Sequence, residues 1–385
     1  MARKTMPNLR PYLNGSKRLL ASYIIDWLVI FLIAGLGGLF NYVEPYHRPF
    51  SLLDLSISYP LVEELFPVRY VILICGFMPA GIIAVIVLAF VPGPAFCRNT
   101  KRADILKLKF WEFEKGWAGF ALALACAFFI TQGMKNLFGK PRPNLLARCD
   151  PDLSNIADHI VGGLGQDISI RWTLVEWSIC RSTNMRVLND GFRSFPSGHA
   201  SFSWAAMLYL SLFFCSKFAI AVPFLPPNTA SQVAGVGRSE NHELLPMNNH
   251  GRYSTEDSGD KNFDSRDSTL ADVRPVPIRN RAAAPPNYYI ILAFIPIALA
   301  VWICSTRFHE YYHFGFDLIS GSLIGIGSAW FAFRWYHLPI RSGQGWAWGA
   351  RSRSRAFGIG VGTHNYVGEE GWETARKRSD IEVAA

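Results

Sequence analysis

Six stretches of this chain are apolar, nearly free of charge and long enough to cross a bilayer: Leu19–Phe40, Arg69–Val91, Gly116–Met134, His199–Pro223, Tyr288–Cys304 and Phe316–Trp335. A helix needs ~20 such residues to span the ~30 Å hydrocarbon core. In lipid every backbone N–H and C=O must be satisfied within the protein, which leaves helices or closed barrels. These runs are unbroken rather than alternating, so they read as helices. The expectation is an all-α integral membrane protein, a bundle of six transmembrane helices. Composition points the same way: 17% of the residues are charged, against ~25% in an average soluble domain. Seven cysteines in 385 residues exclude a small disulfide scaffold.

Lys and Arg concentrate on the cytoplasmic side of membrane proteins. The tail before the first span holds Arg3, Lys4, Arg10, Lys17 and Arg18 and no acid. The 92–115 connection carries six basic and three acidic residues, while the 41–68 connection has Arg48 against Glu44, Asp54, Glu63 and Glu64. Both termini are therefore expected in the cytosol. Residues 1–18 read as a basic cytosolic tail, 19–335 as the six-span domain and 336–385 as a second cytosolic tail. Residues 226–286 form a polar insert without apolar periodicity, and such a composition favours disorder. The net charge of +9 is explained by this asymmetry and by anionic lipid, not by nucleic acid. Asp26, midway along the first span, has no partner that the sequence names.

Three polar clusters lie at span ends, and the topology puts them on one membrane face, away from the cytosol. The third span runs into Lys135-Asn-Leu-Phe-Gly-Lys-Pro-Arg142-Pro143. The fourth opens with Phe195-Pro196-Ser197-Gly198-His199. Arg307, His313 and Asp317 bridge the fifth and sixth. Three permanent cations, Lys135, Arg142 and Arg307, suit a phosphate dianion. Ser197 and Gly198 at a helix start add backbone donors. His313 has an acid, Asp317, four residues on, at a spacing that lets the carboxylate hold one ring nitrogen while the other attacks. His199 can protonate a leaving oxygen. Together these groups supply phosphoryl transfer through a phosphohistidine without a metal or other cofactor. Taken one at a time, the cations read as interfacial anchors and the histidines as ordinary polar residues; His309, off this register, reads as a surface histidine.

The order Lys-x6-Arg-Pro, Pro-Ser-Gly-His, Ser/Thr-Arg-x5-His-x3-Asp resembles the type 2 phosphatidic acid phosphatase superfamily, and the six spans resemble its lipid phosphate phosphatase branch. The resemblance covers roughly 19–336. It implies His313 as nucleophile, Asp317 as the group that orients it, and His199 as acid and then base. It implies Lys135, Arg142, Ser197, Gly198 and Arg307 as phosphate ligands, with Pro143 and Pro196 shaping the loops. Many members carry Asp where this chain has Glu310, and His where it has Phe314; these departures bear on substrate choice more than on activity. The implied function is Mg-independent hydrolysis of phosphatidic acid, with diacylglycerol pyrophosphate, lysophosphatidate and sphingoid-base phosphates as further substrates. The partners are then lipid phosphates within the bilayer. One rival is a polyprenyl or dolichyl diphosphate phosphatase or a lipid phosphotransferase. A rival of another class is a non-catalytic lipid-phosphate binder or transporter. Cys149 and Cys180 share the long third loop, on a side that permits a disulfide between them.

Overall fold

A computed structural model describes residues 17–98, 100–169, 172–223, 283–341 and 345–352, with 356, 357 and 366. The chain divides into two compact units, Met1–Ala221 with Pro286–Ala385, and Val222–Pro285. The second unit falls almost wholly outside the described residues, and with it the expected disordered insert. Most of both expected tails lies outside them too.

The first unit is a helical bundle. Helix α1 covers Lys17–Leu39, α2 Val68–Phe90, α3 Arg102–Phe138, α6 Gly198–Lys217, α7 Tyr288–His309 and α8 Gly315–Tyr336; short α4 (Leu145–Cys149) and α5 (Met185–Gly191) lie between α3 and α6. Residues Ile72–Phe77 form a π-helical turn inside α2. By length and composition α1, α2, α3, α7 and α8 could each cross a membrane. The fourth expected span does not meet that standard. Helix α6 stops at Lys217 rather than Pro223, and it carries Ser201, Ser203, Ser211 and Ser216. All four serines are buried, because α6 stands at the centre and packs against α2, α3, α7 and α8. A helix walled in by protein needs less lipid-soluble surface than one facing acyl chains.

The third span is also longer than expected. It begins at Arg102 rather than Gly116, and its 37 residues extend roughly 55 Å. Its first turns are charged, which is why they read as a loop. The charges are nonetheless accommodated: Glu112 pairs with Lys217, and Lys115 pairs with Glu114 at 2.8 Å and lies over the rings of Tyr23 and Trp111.

Within 336–385, expected as a cytosolic tail, residues 337–341 and 345–352 fold back on this same end of the bundle. His337 bridges Ala347, and Trp348 N–H donates to Tyr336 O. Arg351 reaches Asp26 at 2.8 Å, which supplies the partner that the first span lacked.

The opposite end carries a small cap with a core of its own, including Phe50, Leu145, Val175, Leu188 and Phe192. A two-stranded antiparallel sheet, β1 (Ile160–Gly162) and β2 (Leu174–Val175), and the Cys149–Cys180 disulfide belong to this cap.

Candidate active site

The site is built where α3, α6, α7 and α8 meet the cap. Lys135 lies in the last turn of α3, which Gly139 ends at φ +55°. A Cβ there would fall 1.8 Å from Tyr46 O, so only glycine fits the left-handed turn. The chain then enters Lys140-Pro141-Arg142-Pro143. Arg142 is buried, its N–H donates to Gly191 O at 2.8 Å, and its Nη2 meets Asp190 Oδ1 at 2.8 Å. The other oxygen of Asp190 holds Arg148 Nη1 at 3.0 Å. Burial raises the Asp190 carboxyl, but Arg142, Arg148 and Lys135 outweigh it and hold the group below its usual range.

Ser197 caps α6, and its N–H donates to Asp317 O at 3.0 Å. Two glycines of α8 permit this contact. A Cβ at Gly321 would lie 2.5 Å from Ser197 O, and one at Gly325 2.4 Å from Ser201 O. Small residues four apart let two helix backbones touch. A Cβ on Gly198 would stand 3.0 Å from Lys135 Nζ, so the first and second clusters share a boundary. Pro196, after a cis peptide bond, sets the turn into α6. His199 follows, with Nε2 2.9 Å from Phe66 O. Since a carbonyl only accepts, Nε2 carries the proton.

His313 is buried in the turn between α7 and α8. Its Nδ1 donates to Ser194 O at 2.7 Å. That bond fixes the tautomer and leaves the lone pair on Nε2. Burial, with Arg142, Lys135 and His199 nearby, pushes His313 well below the ordinary histidine value. The ring is therefore neutral at pH 7.

Asp317 does not contact His313 directly, contrary to the expected pairing. It is the third residue of α8, and its carboxylate turns back to accept the Phe314 N–H at 3.1 Å in a capping box. It also accepts from Ser194 Oγ at 2.6 Å and from Lys140 Nζ at 2.7 Å. Asp317 thus reaches His313 through Ser194.

Arg307, near the end of α7, is fully buried. It is flanked by Glu310, one turn on, and by Glu64 from the 40–67 loop at 3.3 Å. Three cations converge on Tyr312, the residue before His313: Arg142, Arg148 and Arg307 lie 5.3, 5.2 and 5.4 Å from its ring centroid. His309 is exposed on the surface.

The structure thus brings together every residue proposed from sequence: His199, His313, Asp317, Lys135, Arg142, Ser197, Gly198, Arg307, Pro143 and Pro196. It adds Lys140, Arg148, Asp190, Ser194, Glu64 and Glu310. Lys140 and Ser194 sit inside or beside the motifs, and Glu310 lies three residues after Arg307, so their positions were a usable signal. Asp190 and Glu64 offered none, since only the loop fold brings them in. Among the described residues no group of three His, Cys, Asp or Glu is arranged to hold a metal ion.

The family model of the PAP2 superfamily matches residues 116–341, which contain all three clusters. The chain belongs to the PAP2 superfamily. Among curated proteins it is 32% identical over 209 residues to a probable diacylglycerol pyrophosphate phosphatase 1 of Schizosaccharomyces pombe, covering 51% of this chain and 64% of the relative. It is 28% identical over 185 residues to diacylglycerol pyrophosphate phosphatase 1 of Saccharomyces cerevisiae, covering 48% and 55%. With lipid phosphate phosphatase 2 of Arabidopsis thaliana it shares 22% over 323 residues, 83% of this chain and 79% of the relative. The chain thus spans less than two thirds of the length of the two yeast relatives. No solved structure matches it.

Proposed function

We propose that this PAP2 protein is a multi-pass membrane phosphatase that hydrolyses lipid phosphate monoesters through a phosphohistidine. One observation carries the reading: Ser194 O holds His313 Nδ1, which leaves the Nε2 lone pair free, on a buried ring that feels the charges of Arg142 and Lys135. The names of the relatives supply the substrate class, phosphatidic acid and diacylglycerol pyrophosphate foremost.

In the first step Nε2 of His313 attacks phosphorus and the P–O bond to the lipid breaks, while the His199 imidazolium keeps its Nε2–H on Phe66 O and gives its Nδ1 proton to the leaving oxygen. Lys135, Arg142 and Arg307 neutralise the charge spread over the phosphoryl oxygens. The N–H groups at the start of α6, behind Ser197 and Gly198, add donors. In the second step His199 takes a proton from water, whose oxygen attacks phosphorus and breaks the P–N bond. These cations stand where Mg²⁺ acts in other phosphoryl transfer enzymes, so the reaction proceeds without Mg²⁺. The disulfide beside the site fits a face turned away from the cytosol, with both termini cytosolic.

The test is phosphate release in EDTA from a panel of phosphatidate, diacylglycerol pyrophosphate, lysophosphatidate, a sphingoid-base phosphate and a polyprenyl diphosphate. Turnover of phosphatidate that vanadate inhibits is expected. Exclusive turnover of the polyprenyl substrate, or transfer to an added alcohol without hydrolysis, would overturn the proposed specificity. Absence of any turnover would leave a binder or transporter.

A further inference from the structure

Arg307 is the most completely enclosed cation of the site, with its side chain 0% exposed. None of its three guanidinium nitrogens makes an aligned hydrogen bond to a described residue. Two carboxylates lie beside it, and they are held very differently. Glu310 is buried with it, and its Oε1 accepts the Leu65 N–H at 2.7 Å. That carboxylate is part of the framework. Glu64 is 27% exposed, stands 3.3 Å from Nη1 and makes no hydrogen bond among the described residues. Only charge holds it there.

The backbone around Glu64 is pinned on both sides. Tyr59 N–H donates to Pro143 O at 3.0 Å, Tyr312 OH to Val62 O at 3.1 Å, and His199 Nε2 to Phe66 O at 2.9 Å. Glu64 can therefore leave Arg307 by turning its side chain toward solvent, with the loop in place.

We propose that Glu64 is an intramolecular competitor for the phosphate at Arg307 and sets the charge a ligand needs to enter. This rests on the phosphatase reading of the site. A monoester phosphate carries about −1.5 to −2 at pH 7 and displaces one loosely held carboxylate. A phosphodiester carries one negative charge and does not. Bulk membrane phospholipids are diesters, so Glu64 keeps them off Arg307 and admits the scarcer monoesters.

The experiment uses full-length protein in detergent, with inorganic phosphate and dimethyl phosphate as probes. The readouts are thermal protection, which needs no turnover, and inhibition of phosphatidate hydrolysis. Glu64→Gln is compared with wild type and with Glu63→Gln, which removes the same charge from the exposed neighbouring residue. In Glu64→Gln inorganic phosphate should bind about threefold to tenfold more tightly. Dimethyl phosphate should protect Glu64→Gln and leave wild type unprotected. Glu63→Gln should stay within about twofold of wild type. An unchanged or weaker phosphate affinity in Glu64→Gln, an equal gain in Glu63→Gln, or a dimethyl phosphate response equal to wild type overturns the proposal. If no protein turns over phosphatidate while the protection pattern holds, the phosphatase reading fails and the role of Glu64 stands.

Discussion

Asp317 and His313 are joined through a single residue, Ser194. Its hydroxyl donates to the carboxylate at 2.6 Å and its carbonyl accepts His313 Nδ1 at 2.7 Å. Lys140 completes the chain by holding the other oxygen of Asp317 at 2.7 Å. The acid therefore fixes the segment whose carbonyl holds the His313 ring.

Ser194→Ala keeps that carbonyl and removes the hydroxyl. A hydrogen bond to a charged group contributes about 1.5–3 kcal/mol, and the thermal midpoint should fall accordingly. The turnover number should drop about tenfold while KM stays near wild type, because phosphate binding is untouched and only the aim of Nε2 loosens. Steady-state kinetics on phosphatidate, with unfolding followed in parallel, checks both. A raised KM with normal turnover would contradict the positioning role.

With His313 as the proposed nucleophile, its depressed basicity should set the acid limb of the rate profile. The folded ring stays neutral where a free histidine, near pH 6.5, takes a proton. Turnover should persist below pH 6.5. Arg142 is one of the charges that hold the ring neutral, so Arg142→Gln should lower activity at every pH and also move the acid limb upward. Stability follows the same sign: below about pH 6.5 the unfolded chain binds the extra proton, and folding stability falls as pH drops. Rate profiles for the two proteins measure the shift.

Packing between α6 and α8 makes a separate prediction. A Cβ at Gly325 would lie 2.4 Å from Ser201 O and 2.7 Å from Trp204 Cβ. Gly325→Ala must part the helices, at a cost of about 1–3 kcal/mol. The same movement draws Ser197 from Asp317, so activity should fall with stability. Thermal unfolding and phosphate release on one preparation decide it; an unshifted midpoint would contradict the packing.

Far from the site, Arg351 and Asp26 tie the chain after α8 to α1. Arg351 also donates to Ser22 Oγ, and its N–H to the Tyr23 hydroxyl. Arg351→Gln should destabilise the protein by about 1 kcal/mol. Asp26→Asn should offset part of that loss, since the double variant leaves no lone carboxylate in the helix. A double-mutant cycle on unfolding midpoints reads the coupling, and strict additivity would show that the pair contributes nothing.

What could be read from sequence was local. Apolar length located the spans, and Lys135, Arg142, His199, Arg307 and His313 stand out because ionisable groups at span ends are rare and costly. Features that depend on tertiary packing were not legible. The charged start of α3 reads as a loop until Lys217 and the rings around Lys115 are in place. Helix α6 reads as a span like the others, and its place at the centre of the bundle emerges only from packing. The four-residue spacing suggested that Asp317 touches His313, but the helix start claims that carboxylate first. Glu64 and Asp190 are separated from their arginines by loops whose course no local pattern reveals.

The proposed mechanism makes His313 the nucleophile of a metal-independent phosphatase. Its most direct test is phosphate release from phosphatidate in EDTA by purified wild type and His313→Ala. Wild type should sustain turnover, and the variant should lose at least about 10³-fold. Full turnover by His313→Ala, or loss of wild-type activity on adding EDTA, would contradict it.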